Sequence, residues 1–478
     1  MLSSETSAHI HDPRSVFNKG GRARQALERV LLLVDYLALA LILYAFWFPV
    51  PARVHALLLF IPLYAIHLII DRRLWHRSPL DLLLAGFLLL GVVNVIAAPH
   101  TGGLFMLGRP VMGILLAGVL ADRLVRAKTL RDPLLATGVL SLLIGLAALL
   151  ASQWTIKSSP FSFIVERLPT ARALFDYDGL IATFIGGGFN VNEIAGAMVW
   201  LAPLMAALAL TAWGLRTPTP FDRALRLLAS AVFCLLWLAL FLGQSRFAIF
   251  GALPALAVIV ALLSPSPRWR WLGLLTVAAF TLLQLLLLAN VFGPERERLQ
   301  QRDEDSIIGR LLIWDSAAQI IRDHPLTGAG MNMYRSAPVR ARYPVPGYEI
   351  RVLPHAHNEL LQIGTDLGVP GMLIFIGWHG VLAIMLWSAW RRSPAQTAPY
   401  ERGLALGIGG GLLAHAIFGL GDAITLWDRF AFIHWWLVGL ALGLYVRARK
   451  VDGDRLRGAR PNLGLYVRAR KNLSLRNH

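Results

Sequence analysis

The chain has 478 residues, 56% of them hydrophobic and only 15% charged, with a mean hydropathy of +0.57, which excludes a water-soluble globular class. The net charge of +18 does not point to nucleic acid, because Lys and Arg collect in short segments between apolar runs and in the C-terminal tail, where anionic lipid headgroups are the natural partner. Cys234 is the single cysteine, so no intrachain disulfide can brace any loop.

Residues 1–29 are polar and mixed and do not read as a cleavable signal peptide; a cytoplasmic segment is expected. A bilayer needs about 20 apolar residues per helix. On that scale the sequence predicts an all-α polytopic membrane protein with twelve spans, at 30–48, 54–70, 80–98, 105–121, 133–152, 192–213, 224–243, 246–263, 270–292, 370–389, 403–420 and 430–446. The first nine fill 30–292, a long polar loop occupies 293–369, the last three fill 370–446, and 447–478 is a basic tail. An even number of spans puts both termini on one side. That side carries thirty of the 46 Lys and Arg, so the positive-inside rule predicts cytoplasmic termini and an outward-facing long loop. Leu-Gly-Leu-Tyr-Val-Arg-Ala-Arg-Lys occurs at both 442–450 and 463–471; two copies of nine residues do not make a repeat architecture, and the tail copy suits the inner leaflet.

The loop is where chemistry is expected. Between Ser306 and Asp323, Ile307, Leu311, Trp314, Ala318 and Ile321 recur at steps of four and three, the stripe of an amphipathic helix capped by Asp305 or Ser306 and ended by His324-Pro325. Arg310 flanks that stripe and could point into a cleft beneath the helix. Gly328, Gly330 and Asn332 predict a turn. Asn358 is a good N-cap, Leu360, Leu361 and Leu367 supply an apolar face, Gly368 a stop and Pro370 a first turn, so the spacing encodes a short surface helix, a bend and a span. His357 would then sit at a helix N-terminus beside His355, where the positive end of the helix favours a bound anion and a neutral, proton-accepting imidazole.

Other polar residues lie at span ends. Gln244-Ser245-Arg246 separates two spans with almost no loop and pins a guanidinium at the outer rim. Asn190 and Asn192 follow three glycines just before a span and could hold a phosphate or sugar. Lys157, Arg167 and Arg172 add positive charge on the same face. Asp35, Asp422 and Asp428 read as partners for arginines. Asp303-Glu304-Asp305 reads as helix capping more readily than as an acidic metal site. No zinc spacing, P-loop or dinucleotide fingerprint is present in the sequence.

His357-Asn358, nine residues, Gly368, two residues, Gly371 resembles the signature of bacterial O-antigen ligases, within the wider polymerase and ligase superfamily. Gln244-Ser245-Arg246, and Arg310 with Trp314 followed by 325–330, add to the resemblance, which covers roughly 180–430; Asn190-Val191-Asn192 lacks the proline of the corresponding family element. The resemblance implies a GT-C-like fold and a glycosyltransferase of the bacterial inner membrane, acting on its periplasmic face without metal ion or cofactor. The implied donor is undecaprenyl pyrophosphate carrying a glycan and the acceptor is lipid A-core. Carried over, His357 would be the general base and Arg246 and Arg310 would hold the pyrophosphate, with Asn358, His355, Asn190, Asn192, Gln244, Ser245, Trp314, Lys157 and Arg172 as candidate substrate contacts. A monomer in contact with membrane lipids is expected. Related cores serve O-antigen polymerases and protein O-oligosaccharyltransferases. A lipid-linked glycan flippase fits the topology too, but it would need ionisable residues through mid-span rather than at one rim.

Overall fold

The structure is a computed structural model that describes residues 75–97, 103–154, 189–264, 266–288, 296–348, 353–424 and 426–458, most of 29–41 and 58–69, and isolated positions at 27, 164, 166 and 167. Lys157 and Arg172 lie outside the described residues, as do the tail copy of the repeat and parts of the first two predicted spans; 30–41 and much of 58–69 are helical.

The helices with defined bounds are α1 Asp81–Ala97, α2 Gly103–Arg126, α3 Arg131–Ala151, α4 Val191–Trp213, α5 Pro220–Gly243, α6 Arg246–Leu263, α7 Pro267–Leu288, α8 Arg296–Asp323, α9 Ala337–Arg342, α10 Glu359–Arg392, α11 Pro399–Phe418 and α12 Ala431–Gly458. Seven of them, α3 to α7, α10 and α12, are long and apolar enough to cross a membrane, so the chain is an α-helical multi-pass membrane protein. Among the described residues the only strand pairing is a two-residue parallel bridge, Ser152 opposite Phe189 and Gln153 opposite Asn190.

Helix ends differ from the hydropathy boundaries where capping chemistry overrides apolarity. The span predicted from 224 starts at Pro220, because Thr219 and Asp222 form a reciprocal capping box and proline suits the first turn. The last helix runs on to Gly458, well past 446, and takes the first copy of the repeat with it.

α4 is the axis of the bundle. Of its apolar window 94% is buried, against 6% for α7, so α4 is enclosed by protein while α7 faces lipid. Close packing against α11 comes from small residues four apart. A Cβ on Gly403, Gly407 or Gly411 would lie within 3.0 Å of Thr211, Leu204 and Trp200 respectively.

The polar loop folds over this bundle as a cap with its own core, made of Ile313, Ala317, Ile320, Ala329, Tyr334, Val339, Tyr343, Val345, Leu353 and Ala356. Two expectations fail here. α8 starts at Arg296 rather than at Asp305 or Ser306, so Asp303-Glu304-Asp305 lies inside the helix; the Arg, Glu, Leu and Gln that precede it are strong helix formers and nothing stops the helix there. The buried face of α8 is Ile313, Ser316, Ala317 and Ile320, whereas Ile307 and Leu311 of the predicted stripe are more than half exposed. Two apolar arcs exist on this helix, and periodicity alone does not say which one meets the core.

The predicted turn is present, with Gly328, Gly330 and Asn332 all at positive φ. So is the bend: α10 departs from helical geometry at Gly368, where φ is 70° and ψ is −170°. There the cap and α10 touch backbone to backbone. A Cβ on Gly368 would meet Pro325 O at 2.5 Å, and one on Gly328 would meet Thr365 O at 2.4 Å.

Candidate active site

The N-terminus of α10 is docked onto the turn that follows α11. Asn358 caps the helix, its side-chain oxygen accepting from Leu361 N–H at 3.0 Å, while its Nδ2 donates to Leu420 O at 3.1 Å. Glu359 N–H donates to Gly419 O at 2.8 Å. His357, one residue outside the cap, holds a left-handed backbone with φ of 48°. For a non-glycine residue that conformation persists only where its surroundings impose it. Here they do: His357 N–H donates to His355 Nδ1 at 3.2 Å, and Trp314 Nε1 of α8 donates to His357 O at 3.3 Å.

The same turn supplies an acid. Asp422 Oδ1 lies 3.3 Å from His357 Nδ1 and 3.6 Å from His355 Nε2, and it accepts from Ala423 N–H at 2.9 Å. The His357 contact is of ion-pair length although Nδ1 is not aligned as a hydrogen bond. Asp422 was expected to pair with an arginine; its partners are the two histidines. Burial pushes its carboxyl upward, but the His357 contact, the charge of both rings and the Ala423 N–H outweigh that and hold it below the usual range. His355 is lowered, chiefly by burial and further by the neighbouring His357, with Asp422 opposing.

One of these contacts fixes the tautomer of His355. Because His355 Nδ1 accepts, its proton sits on Nε2, facing Asp422. His355, His357 and Asp422 have ligand atoms within 4.8 Å of one another and form the one such group among the described residues. A cation there would need the Nε2 lone pair that the tautomer of His355 removes, so the trio is better suited to exchange protons than to ligate. A proton on His357 Nδ1, towards the carboxylate, leaves Nε2 as the basic atom.

Arg310 and the segment that carries Arg246 both reach the turn. Arg310 Nε donates to Gly421 O at 2.9 Å, and its guanidinium lies 5.5 Å from the centre of the Phe247 ring. Phe247 in turn packs so closely on Gly421 that a Cβ there would meet the ring at 2.1 Å. Arg246, exposed, precedes Phe247 at the first position of α6. Gln244, in a left-handed conformation, closes α5, and buried Ser245 is the N-cap residue of α6. The segments bearing His357, Arg310 and Arg246, far apart in sequence, thus converge on 418–422.

Asn190 and Asn192 flank Val191, which packs on Gly243 just before Gln244: a Cβ on Gly243 would meet Val191 at 2.8 Å. The Asn190 side chain accepts from Asn192 N–H at 2.8 Å as the cap of α4, and Glu193 beside them pairs with Arg429 at 3.1 Å. Arg167 is exposed. Asp35 pairs with Arg123 and Asp428 with Arg335, as expected for structural ion pairs. A further pair was not foreseen: Glu359 of α10 lies 3.0 Å from His415 of α11, both buried.

A groove of about 570 Å³ runs between α6, α10 and α11. Asn358, Glu359 and Leu420 line its outer end, and Phe375, Trp387 and Leu413 line its apolar length. It therefore begins beside the turn that carries Asp422.

No curated protein matches the chain. Residues 231–376 match the family model described as O-antigen ligase, a segment that runs from α5 through the cap into α10 and contains Arg246, Arg310 and His357.

Proposed function

We propose that the protein is an O-antigen ligase, which transfers a glycan from undecaprenyl pyrophosphate to a sugar hydroxyl of lipid A-core. The family match supports an enzyme of ligase or polymerase type in general. The observation that carries the narrower reading is the meeting of Arg310, the Arg246 segment and the Asp422–His357 pair on one turn, at the end of an apolar groove. A lipid-linked anion needs cations for its head and an apolar surface for its chain, and both are here.

In this reading His357 Nε2 removes the proton from the acceptor hydroxyl as that oxygen forms its bond to the anomeric carbon. The bond from that carbon to the phosphate oxygen breaks on the opposite face, giving inversion, and the electron pair leaves with the pyrophosphate. Arg246 and Arg310 neutralise the charge that builds on the phosphate oxygens. Asp422 steadies the imidazolium, and the reaction needs no metal ion or other cofactor. Asn190, Asn192, Lys157 and Arg172 would contact the glycan further from the bond that breaks, and Gln244 and Ser245 would position Arg246.

The same reading places twelve spans in a GT-C-like fold in the inner membrane of a bacterium, with both termini cytoplasmic and the cap in the periplasm. It is tested by purified enzyme, undecaprenyl-pyrophosphate glycan and lipid A-core in EDTA. Glycan appearing on lipid A-core supports it. Glycan added only to another lipid-linked glycan identifies a polymerase, and loss of all transfer in EDTA refutes metal independence.

A further inference from the structure

Beneath the candidate base lies a fully buried carboxylate that the mechanism above does not use. Asp366, on the buried face of α10 and two residues before the bend, is 0% exposed and forms no ion pair among the described residues. Three donors from three parts of the chain converge on it instead. Its Oδ1 accepts from Asn332 N–H of the cap turn at 2.9 Å, its Oδ2 from Trp427 Nε1 in the loop before α12 at 2.6 Å, and both oxygens face Gln362 Nε2 at 3.0 Å. Its own carbonyl is held by Asn94 Nδ2 of α1 at 2.8 Å, and Asn94 Oδ1 accepts from Met331 N–H.

Gln362 passes this arrangement on. Its amide nitrogen donates to Asp366, which leaves Oε1 pointing the other way, and that oxygen accepts from Ala356 N–H at 2.8 Å. Ala356 is the residue before His357. A carboxamide has one donor end and one acceptor end, so the carboxylate at 366 decides which end of Gln362 faces the backbone of the His357 segment. Reversed, Gln362 would present N–H to N–H at Ala356, and the left-handed backbone at His357 would lose a hydrogen bond on its N-terminal side.

We infer that Asp366, acting through Gln362, is a positioning residue that sets the backbone of His357 from the cap turn, the 427 loop and α1 together. The inference rests on the reading of His357 as general base. Asp366 touches no reacting atom; it fixes where the imidazole is, and a misplacement of about 1 Å at a reacting group can cost 10²-fold.

The test uses full-length protein in detergent. Asp366→Asn keeps size but turns one acceptor into a donor, so it leaves the amide of Gln362 without a fixed orientation. The expected result is a fall of about 10²-fold in kcat, with KM for donor and acceptor within threefold of wild type and a lowered thermal unfolding midpoint, because the new amide faces Asn332 N–H or Trp427 N–H without accepting from it. The reciprocal pair Gln362→Glu/Asp366→Asn restores a donor facing an acceptor and keeps an oxygen on Ala356 N–H. It should recover at least tenfold of the lost kcat. Either an unchanged kcat in Asp366→Asn, or a loss that tracks a lowered unfolding midpoint and stays unrescued in the reciprocal pair, overturns the inference. If wild-type protein ligates and His357→Ala is inactive while Asp366→Asn is normal, only the positioning role fails. If His357→Ala ligates normally, the reading beneath it fails first.

Discussion

Replacing Asp422 by Asn removes a charge and little else. The new side chain has the same shape, and its oxygen can still accept from Ala423 N–H at 2.9 Å. In the proposed mechanism it loses attraction for the imidazolium that forms as His357 takes the proton. Two unit charges at the observed 3.3 Å would attract by about 5 kcal/mol at an effective dielectric near 20. With the proton roughly half transferred in the transition state, about half of that, ~2.5 kcal/mol, acts on the barrier. At about 1.36 kcal/mol per decade this is on the order of 10²-fold in kcat. KM should stay within threefold, because the arginines proposed to hold the donor are untouched. The assay is glycan transfer to lipid A-core followed by gel shift or radiolabel, over a range of both substrates. A kcat within threefold of wild type would show that the carboxylate does not stabilise the reacting histidine, whatever its distance.

His357→Ala should lower kcat by about 10²–10⁴-fold with membrane insertion and yield unchanged; turnover at the wild-type rate would remove the base assignment. Arg310→Lys keeps charge but loses the planar fork and the Nε–H that holds Gly421 O, and about 10²-fold lower kcat is expected from steady-state kinetics, comparable turnover pointing to a surface role. Stability should also fall with acid. His355 and Asp422 both have folded pKa values below their ordinary 6.5 and 3.8, so the folded state gives up these protons more readily than the unfolded one. Their contribution is complete above those ordinary values and is lost as pH falls through the lowered ones, first for His355 and then for Asp422. Between pH 7.5 and 2.5 the unfolding-midpoint advantage of wild type over His355→Gln/Asp422→Asn should shrink as pH falls, and an advantage that grows there would contradict the assignment.

Much of the site could be read from the chain because its logic is local. Asn358 as cap, Gly368 as bend and the turn at Gly328 and Gly330 follow from backbone chemistry within a few residues, and all three are seen. Arg246 at a helix start follows from a nearly absent loop. What stayed hidden is pairing across long separations. Asp422 sits in an outer turn where any nearby cation could claim it, and nothing within ten residues says that a histidine 65 positions earlier does so. Asp366 looks like one polar residue on a helix. Its three donors come from 332, 362 and 427, and only the folded arrangement brings them to one point. The arc of α8 that faces inward was ambiguous for a related reason, since Ile307 and Ile313 are equally apolar and packing alone chooses between them.

The close crossing at Gly368 turns the stretch from Asn358 into a ruler. Its far end is clamped where the cap backbone meets Gly368, and an α-helix advances about 1.5 Å and turns about 100° for each residue. One added or deleted residue between these points would swing the imidazole about a quarter-turn around the helix, away from its carboxylate, with every individual side chain intact. The count of nine therefore acts as a phase setting, and length changes there should be far more damaging than most substitutions.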